Sequence, residues 1–376
     1  MKICLCWLFD GIAVSKIPIR SAVPAWTALP RQKLSGAGEI RLELLAVMGR
    51  GLALAMLTLC LWTAMPRAAA LQASAQDGAA LHITQRARSL QPGEVVVLEV
   101  ATSPGPSLSS AGNGSSHTAA IESVQAVAFG RQIEGYSRSH GVWEVLLGID
   151  LGTDPGTYPV EITATVAGSD GGRTRAATAS ADSVSPREVR ARYDLEVKDK
   201  QFPTRRLKVA PKYVDPPPET RDRIARESRL LTGLFQTSTS EKLWSGAFTA
   251  PVPGRVNPDS FGKRSVFNGK PRSPHSGADF SAPQGTPVKA PNSGTVVLAR
   301  DLYFAGHTVI IDHGLGLYTF FAHLSKFEVE EGQMVKRGDV LGLSGSTGRV
   351  TGPHLHYSVR LNNSRVDPLA LMDIAR

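Results

Sequence analysis

The sequence predicts a mainly β protein: an N-terminal immunoglobulin-like β-sandwich, a helical connector, and a β-rich C-terminal domain. Three observations carry this. Between residues 79 and 200, β-branched or alternating runs recur at short spacing, separated by turn-rich pieces. Pro216, Pro217 and Pro218 then form a stiff extended spacer ahead of one helical stripe. From residue 243 to 372, candidate strands return, punctuated by glycines. A chain of 376 residues has room for two such domains plus non-globular sequence.

In the first domain the candidate strands are residues 94–100 (EVVVLEV), 121–129, 142–151, 157–166 and 192–197. Short strands at this spacing suit a small sandwich. His82, His117 and His140 are scattered singly there and read as surface or loop histidines. The connector, residues 201–242, begins at Phe202–Pro203. Residues 219–236 place Ile224, Leu230, Leu231, Leu234 and Phe235 on one stripe, which predicts a helix packed against one of the domains. In the last domain the strands are expected at 285–291, 294–299, 307–312, 317–322, 335–343 and 354–361.

The N-terminus reads as an export signal. Gly49–Arg50 precedes an apolar stretch of fifteen residues, 51–65, and Ala68, Ala69 and Ala70 supply a small-residue cleavage site. That stretch is shorter than the eighteen or so residues of a spanning helix, so a membrane tether is expected only if the signal stays uncleaved. Met48 is then the initiator, and residues 1–47 are a mis-annotated extension. All three cysteines (Cys4, Cys6, Cys60) fall in the part removed, which leaves no thiol nucleophile, thiolate ligand or disulfide and makes two hydrophobic cores carry the stability. The expected location is the periplasm or cell envelope. The formal charge of +9 falls to +4 once the eight Lys/Arg and three Asp/Glu of residues 1–70 are set aside. With no nucleic-acid motif present, that modest charge suits an anionic envelope polymer and argues against a nucleic-acid partner.

Chemistry concentrates in five residues: His275, Asp279, His323, His354 and His356. They occur as H-S-G-A-D, a lone His after Phe321–Ala322, and H-L-H. Two imidazoles and one carboxylate make a three-donor set that leaves a zinc ion one open position for water, the mark of catalytic zinc. Two further imidazoles remain to handle protons or charge. In a strand, residues i and i+2 share a face, so His354 and His356 project together, one able to bind metal and the other to sit above it. Pro274 and Gly277 argue that His275 and Asp279 lie in an irregular turn. Each motif alone is weak; their order inside one β domain gives the signal.

The wording around these residues resembles the lysostaphin-type zinc endopeptidases of peptidoglycan. The likeness runs from about residue 254 to 372 through PHSGADF (274–280), APQGTPVKAP (282–291), LYTFFAHL (317–324) and GSTGRVTGPHLHY (345–357). It implies a small antiparallel β fold with a groove, one zinc held by His275, Asp279 and His356, and catalytic His323 and His354. On that basis His354 is the general base, and His323 stabilises the oxyanion or passes a proton to the leaving amine, the two roles being interchangeable. The substrate implied is peptidoglycan, with groove loops choosing the bond. Phe321 replaces a common Tyr and is expected to remove a hydroxyl near the groove, while Tyr318 is retained; His307 stands where Asn is common. A non-catalytic member that binds peptidoglycan or activates another cell-wall hydrolase is the alternative, but such proteins usually lack ligands that are present here. Residues 285–300 and 331–345 have the Val/Gly rhythm of lipoyl or biotinyl carriers, yet Met334–Val335–Lys336 lacks the modified-Lys turn. A lytic factor aimed at other bacteria would share the chemistry and differ in biology.

Overall fold

The computed structural model describes residues 71–72, 80–102, 120–139, 141–167, 186–208, 211 and 214–374. The export signal, the extension before it, the three cysteines, His117 and His140 lie outside the described residues. The protein is mainly β with antiparallel sheets.

Strands β1 (Leu71–Gln72), β2 (Leu81–Ala87), β3 (Val95–Thr102), β4 (Ile121–Ala128), β5 (Arg131–Glu134), β6 (Tyr136–Ser139), β7 (Val142–Gly148), β8 (Gly156–Val166) and β9 (Arg187–Val197) build the N-terminal sandwich. One sheet has the order β1-β2-β3-β7-β6 and the other β5-β4-β8-β9. Strict alternation in β9, where every second residue is buried, is the pattern of a strand with one face on the core and one in water. The inner faces meet in a core of Ile83, Leu98, Leu147, Ile162, Leu195 and their neighbours.

Strand β3 departs from alternation, and the reason is architectural. Val96, Leu98 and Val100 point into the sandwich core, whereas Val95 and Val97 point out of it and join Leu146 in the core of the C-terminal domain. A strand covered on both faces reads as a continuous apolar run. The sandwich and the C-terminal domain thus keep the two cores expected, but β3 joins them by lending its outer face to the second, and all described residues fall in one compact unit. Charges rim this contact. Arg88 joins Glu94 and Asp367, and Arg365 grips Asp150 through Nε–Oδ2 at 3.0 Å and Nη2–Oδ1 at 2.6 Å.

The chain continues through β10 (Thr204–Leu207) and α1 (Arg221–Gln236), then β11 (Arg264–Phe267) and β12 (Lys270–Pro271), which complete a small three-stranded sheet with β10. The helix buries Ile224, Ser228, Leu231 and Phe235. Leu230, expected on the buried stripe, is instead 39% exposed, because it sits one position round from Leu231 and beyond the face that meets the sheet. The large sheet runs β13 (Gly277–Phe280), β20 (Leu355–Leu361), β17 (Leu317–Phe327), β16 (Gly306–Asp312), β15 (Gly294–Leu302) and β18 (Met334–Val335). Strand β14 (Pro287–Lys289) pairs with β19 (Val340–Ser344), β19 also pairs with β17, β21 (Ser364–Val366) pairs with β20, and α2 (Pro368–Ile374) closes the described chain.

Two strand expectations need correction. The run 335–343 is two strands, broken by a turn in which Asp339 caps the Lys336 amide and Gly338 takes φ +94°. His354 precedes β20 and makes only an isolated bridge to Gly345. Phe321 is fully buried and stacks on Tyr357 at 5.2 Å, and the Tyr318 hydroxyl bonds Thr237. Neither ring belongs to the groove, so the expected loss of a groove hydroxyl at Phe321 does not arise.

His313, which the sequence did not single out, is a core histidine. It has no exposed surface, its Nδ1 meets the Ser293 carbonyl at 2.6 Å, and its Nε2 meets the Thr319 hydroxyl at 2.8 Å. Burial pushes its pKa down to about 4. An unfolded histidine titrates near 6.5, so as pH falls below that value the unfolded chain takes up a proton that the folded chain refuses. Stability is therefore lost between about pH 6.5 and 4, by an amount on the order of 3 kcal/mol. Asp312, whose carboxyl burial pushes up, works in the opposite sense in wild type and variant alike. Urea unfolding across this range is expected to show a shallower acid loss in His313→Asn; identical slopes would contradict the assignment.

Candidate metal centre

Strand register brings the site together. On β13, Asp279 faces His356 of β20, and His356 in turn faces Ala322 of β17. His323 is the next residue, at the point where β17 leaves β20 and begins to pair with β19. Its backbone has φ 64°, in the left-handed region where histidine is tolerated but uncommon, and its N–H donates to the Ala305 carbonyl. Such a local break in pairing re-aims a side chain, here toward the neighbouring histidines. Asp279 lies on a strand, not in the irregular turn expected from Pro274 and Gly277; His275 alone stays in the extended approach to it.

Three donor atoms converge. His275 Nε2 is 3.0 Å from His356 Nδ1, and each lies 3.1 Å from Asp279 Oδ1. All three residues are half-buried. Zinc–ligand distances of about 2.0–2.2 Å in a tetrahedron separate donors by about 3.3–3.6 Å. The observed triangle is tighter by only a few tenths of an ångström, so this donor set fits a small divalent ion with a fourth position open. His275 Nδ1–H donates to the Ser260 carbonyl at 2.9 Å, which turns the Nε2 lone pair to the centre. The Ser260 hydroxyl accepts from the Asp279 amide at 3.2 Å. Ser260 thus positions two of the three donors, and no sequence signal could have found it, because it lies outside the recognisable motifs.

The electrostatics agree with the geometry. Burial pushes the Asp279 carboxyl up, but hydrogen bonds and charge from His275 and His356 outweigh it and hold it well below the usual carboxylate range. Burial pushes the His356 imidazole down, against the pull of Asp279. His323 is pushed down to about 3, first by burial and then by the charges of His356 and His354.

The two remaining imidazoles flank the triangle. The His323 and His354 rings are 5.0 Å apart, and His354 Nε2 is 3.8 Å from Asp279 Oδ1. Each anchors its Nδ1–H on a backbone carbonyl at 2.9 Å, His323 on Thr347 and His354 on Gly352. In the neutral ring this leaves Nε2 as a bare acceptor. All five residues singled out from the sequence are gathered here, while His82 lies in β2 of the sandwich.

The glycine of H-S-G-A-D has a steric reason. A Cβ on Gly277 would stand 2.7 Å from His356 Cε1 and 2.5 Å from the Tyr357 carbonyl oxygen. Gly277→Ala is expected to displace the His356 ring and weaken zinc binding about tenfold or more. Competition with a zinc-sensitive dye measures this; unchanged affinity would show that the close approach is not needed.

Residues 273–368 match the sequence profile of Peptidase family M23. A crystal structure of a Pseudomonas aeruginosa protein assigned to peptidase M23 superposes with a TM-score of 0.52 at 31% identity, covering 76% of this chain and 96% of that one. The chain belongs to peptidase family M23. Among curated relatives, the peptidoglycan DD-endopeptidase ShyA of Vibrio cholerae is 49% identical over 96 residues, 26% of this chain and 22% of that protein. The DD-carboxypeptidase/endopeptidase Mpg of Neisseria meningitidis is 46% identical over 97 residues, again 26% and 22%. The chain thus matches about a fifth of the length of these two relatives.

Proposed function

We propose that the chain is an exported zinc metalloendopeptidase that hydrolyses amide bonds in the stems or cross-links of peptidoglycan, for cell-wall remodelling. The observation that carries this reading is the convergence of His275, Asp279 and His356 within about one hydrogen-bond length, with His323 and His354 beside them. Membership of M23, and relatives named as peptidoglycan endopeptidases, support the substrate class. When bound, zinc supplies Lewis acidity that polarises an amide carbonyl and lowers the pKa of water to about 7.

The chain's own residues do the rest. Asp279 contributes one negative charge to the donor set, and the two ligand imidazoles contribute none. His354, half-buried and with Nε2 nearest Asp279, is placed to take a proton from attacking water. His323, mostly buried and with its ring held by Thr347, is placed to carry a proton to the leaving amine. Both rings present Nε2, so their roles are interchangeable by geometry. The signal over residues 48–70 and the thiol-free mature sequence support a periplasmic or envelope location, where peptidoglycan is the available amide polymer.

Metal analysis of the purified chain is expected to give about one zinc per molecule. Incubation with purified peptidoglycan is expected to release new amino groups. A zinc-loaded chain that releases none would defeat the reading.

A further inference from the structure

Positive charge collects on the small three-stranded sheet beside the metal centre. Residues 204–208 (TRRLK), from β10, and 263–272 (KRSVFNGKPR), from β11 and β12, contain seven Lys or Arg and no Asp or Glu. This sheet is tied to the segment that carries a metal donor. The His275 amide donates to the Lys263 carbonyl, and the His275 carbonyl accepts from the Gly262 amide. The Arg272 amide donates to the Ser265 carbonyl, which holds β12 and β11 together on the way to His275.

The two faces of the sheet are used differently. Parallel register sets Thr204 beside Arg264, Arg205 beside Ser265 and Arg206 beside Val266. Residues i and i+2 share a face, so Arg205 and Ser265 lie on one face and Arg206 and Arg264 on the other. The first face is braced, because Arg205 donates to the buried Ser265 hydroxyl at 3.0 Å. Nearby, Arg272 donates to the Val214 carbonyl and Lys270 takes Asp215. The second face is free. Arg206, Arg264 and the following Lys208 are exposed, and Lys263 is half-buried. None of these four side chains has a partner among the described residues. Like charges gathered on one face repel, and a polyanion laid across them offsets that cost.

The cutting site itself carries no such charge. A cavity of about 470 Å³ opens beside Asp279 and His354, with Asn257, Ser281, Pro283 and Pro353 in its walls and no Lys or Arg. The cations flank that cavity rather than line it. We propose that the free face of β10–β12, through Arg206, Lys208, Lys263 and Arg264, docks the anionic wall polymer, gripping carboxylates of stems next to the one being cut. This rests on the peptidoglycan reading above. An intact strand repeats its stem carboxylates, whereas a short soluble fragment offers only those beside its own scissile bond. Arginine suits the task, since its planar guanidinium meets a carboxylate with two parallel N–H···O bonds. Contacts to neighbouring stems raise the grip on polymer without touching the reacting atoms.

The test uses the zinc-loaded full chain, purified peptidoglycan sacculi, a soluble muropeptide, and vesicles rich in phosphatidylglycerol. Co-sedimentation on ice measures sacculus binding, which is expected to weaken as ionic strength rises to about 0.3 M. Arg206→Gln combined with Arg264→Gln is expected to weaken that binding by about fivefold or more and to flatten its salt dependence. KM on sacculi should rise by a similar factor with kcat kept, and KM on the muropeptide should rise less. Arg206→Lys combined with Arg264→Lys keeps the charge and should restore part of the binding. Circular dichroism and zinc content confirm that the variants fold. Sacculus binding that neither the glutamines nor salt reduces would overturn the docking face. So would arginine-dependent binding to the vesicles alone, which would assign the face to an anionic lipid surface. Arginine-dependent binding to sacculi by a zinc-loaded chain that releases no amines would uphold the docking face and overturn the peptidase reading.

Discussion

His356→Ala is expected to leave the chain with zinc affinity reduced by about a hundredfold or more and with no measurable hydrolysis. His356 is the donor that strand pairing fixes most firmly, held between Asp279 on β13 and Ala322 on β17. Without it, His275 and Asp279 remain 3.1 Å apart, two donors where a catalytic zinc site ordinarily has three. Because the ring packs against Gly277, its removal also leaves a void in the site wall. Equilibrium dialysis against zinc gives the affinity, and amine release from peptidoglycan gives the activity. Wild-type affinity in the variant would mean that the donor triangle is not the metal centre.

His323→Ala and His354→Ala are expected to behave in the opposite way toward metal. Both should keep about one zinc per chain and lose activity by at least about a hundredfold. Neither residue belongs to the donor triangle, and both hold their Nδ1–H on backbone carbonyls so that Nε2 faces the chemistry. Metal analysis beside turnover on muropeptides separates this from ligand loss. Normal turnover in either variant would remove that residue from the mechanism, and loss of zinc in either would enlarge the donor set.

Much of this architecture is written in the sequence because it depends on local pattern. The runs at 121–129 and 157–166 sit close to strands β4 and β8, and the H-L-H pair does bring His354 and His356 to one site. What escaped is long-range. The apolar run of β3 is covered on its outer face by the C-terminal domain, a contact that no local pattern reports. Ser260 acts through contacts made across the fold, with no periodicity or motif to mark it. In the sequence, Pro274 and Gly277 argue against a helix and so for an irregular turn at Asp279; in the fold this is a strand, and the glycine is required by the His356 ring packed against it. The signal for His275 and Asp279 lies in the order of the motifs along one β domain, which chemistry constrains more tightly than backbone shape.

The central claim is metal-dependent amide hydrolysis of peptidoglycan at the His275–Asp279–His356 centre. Mass spectrometry of purified peptidoglycan, digested with and without chelator, tests it most directly. The predicted result is a set of fragments with new amine and carboxylate ends that vanish with chelator and return when zinc is restored. Cleavage that persists in chelator, or no cleavage by the zinc-loaded chain, would contradict it.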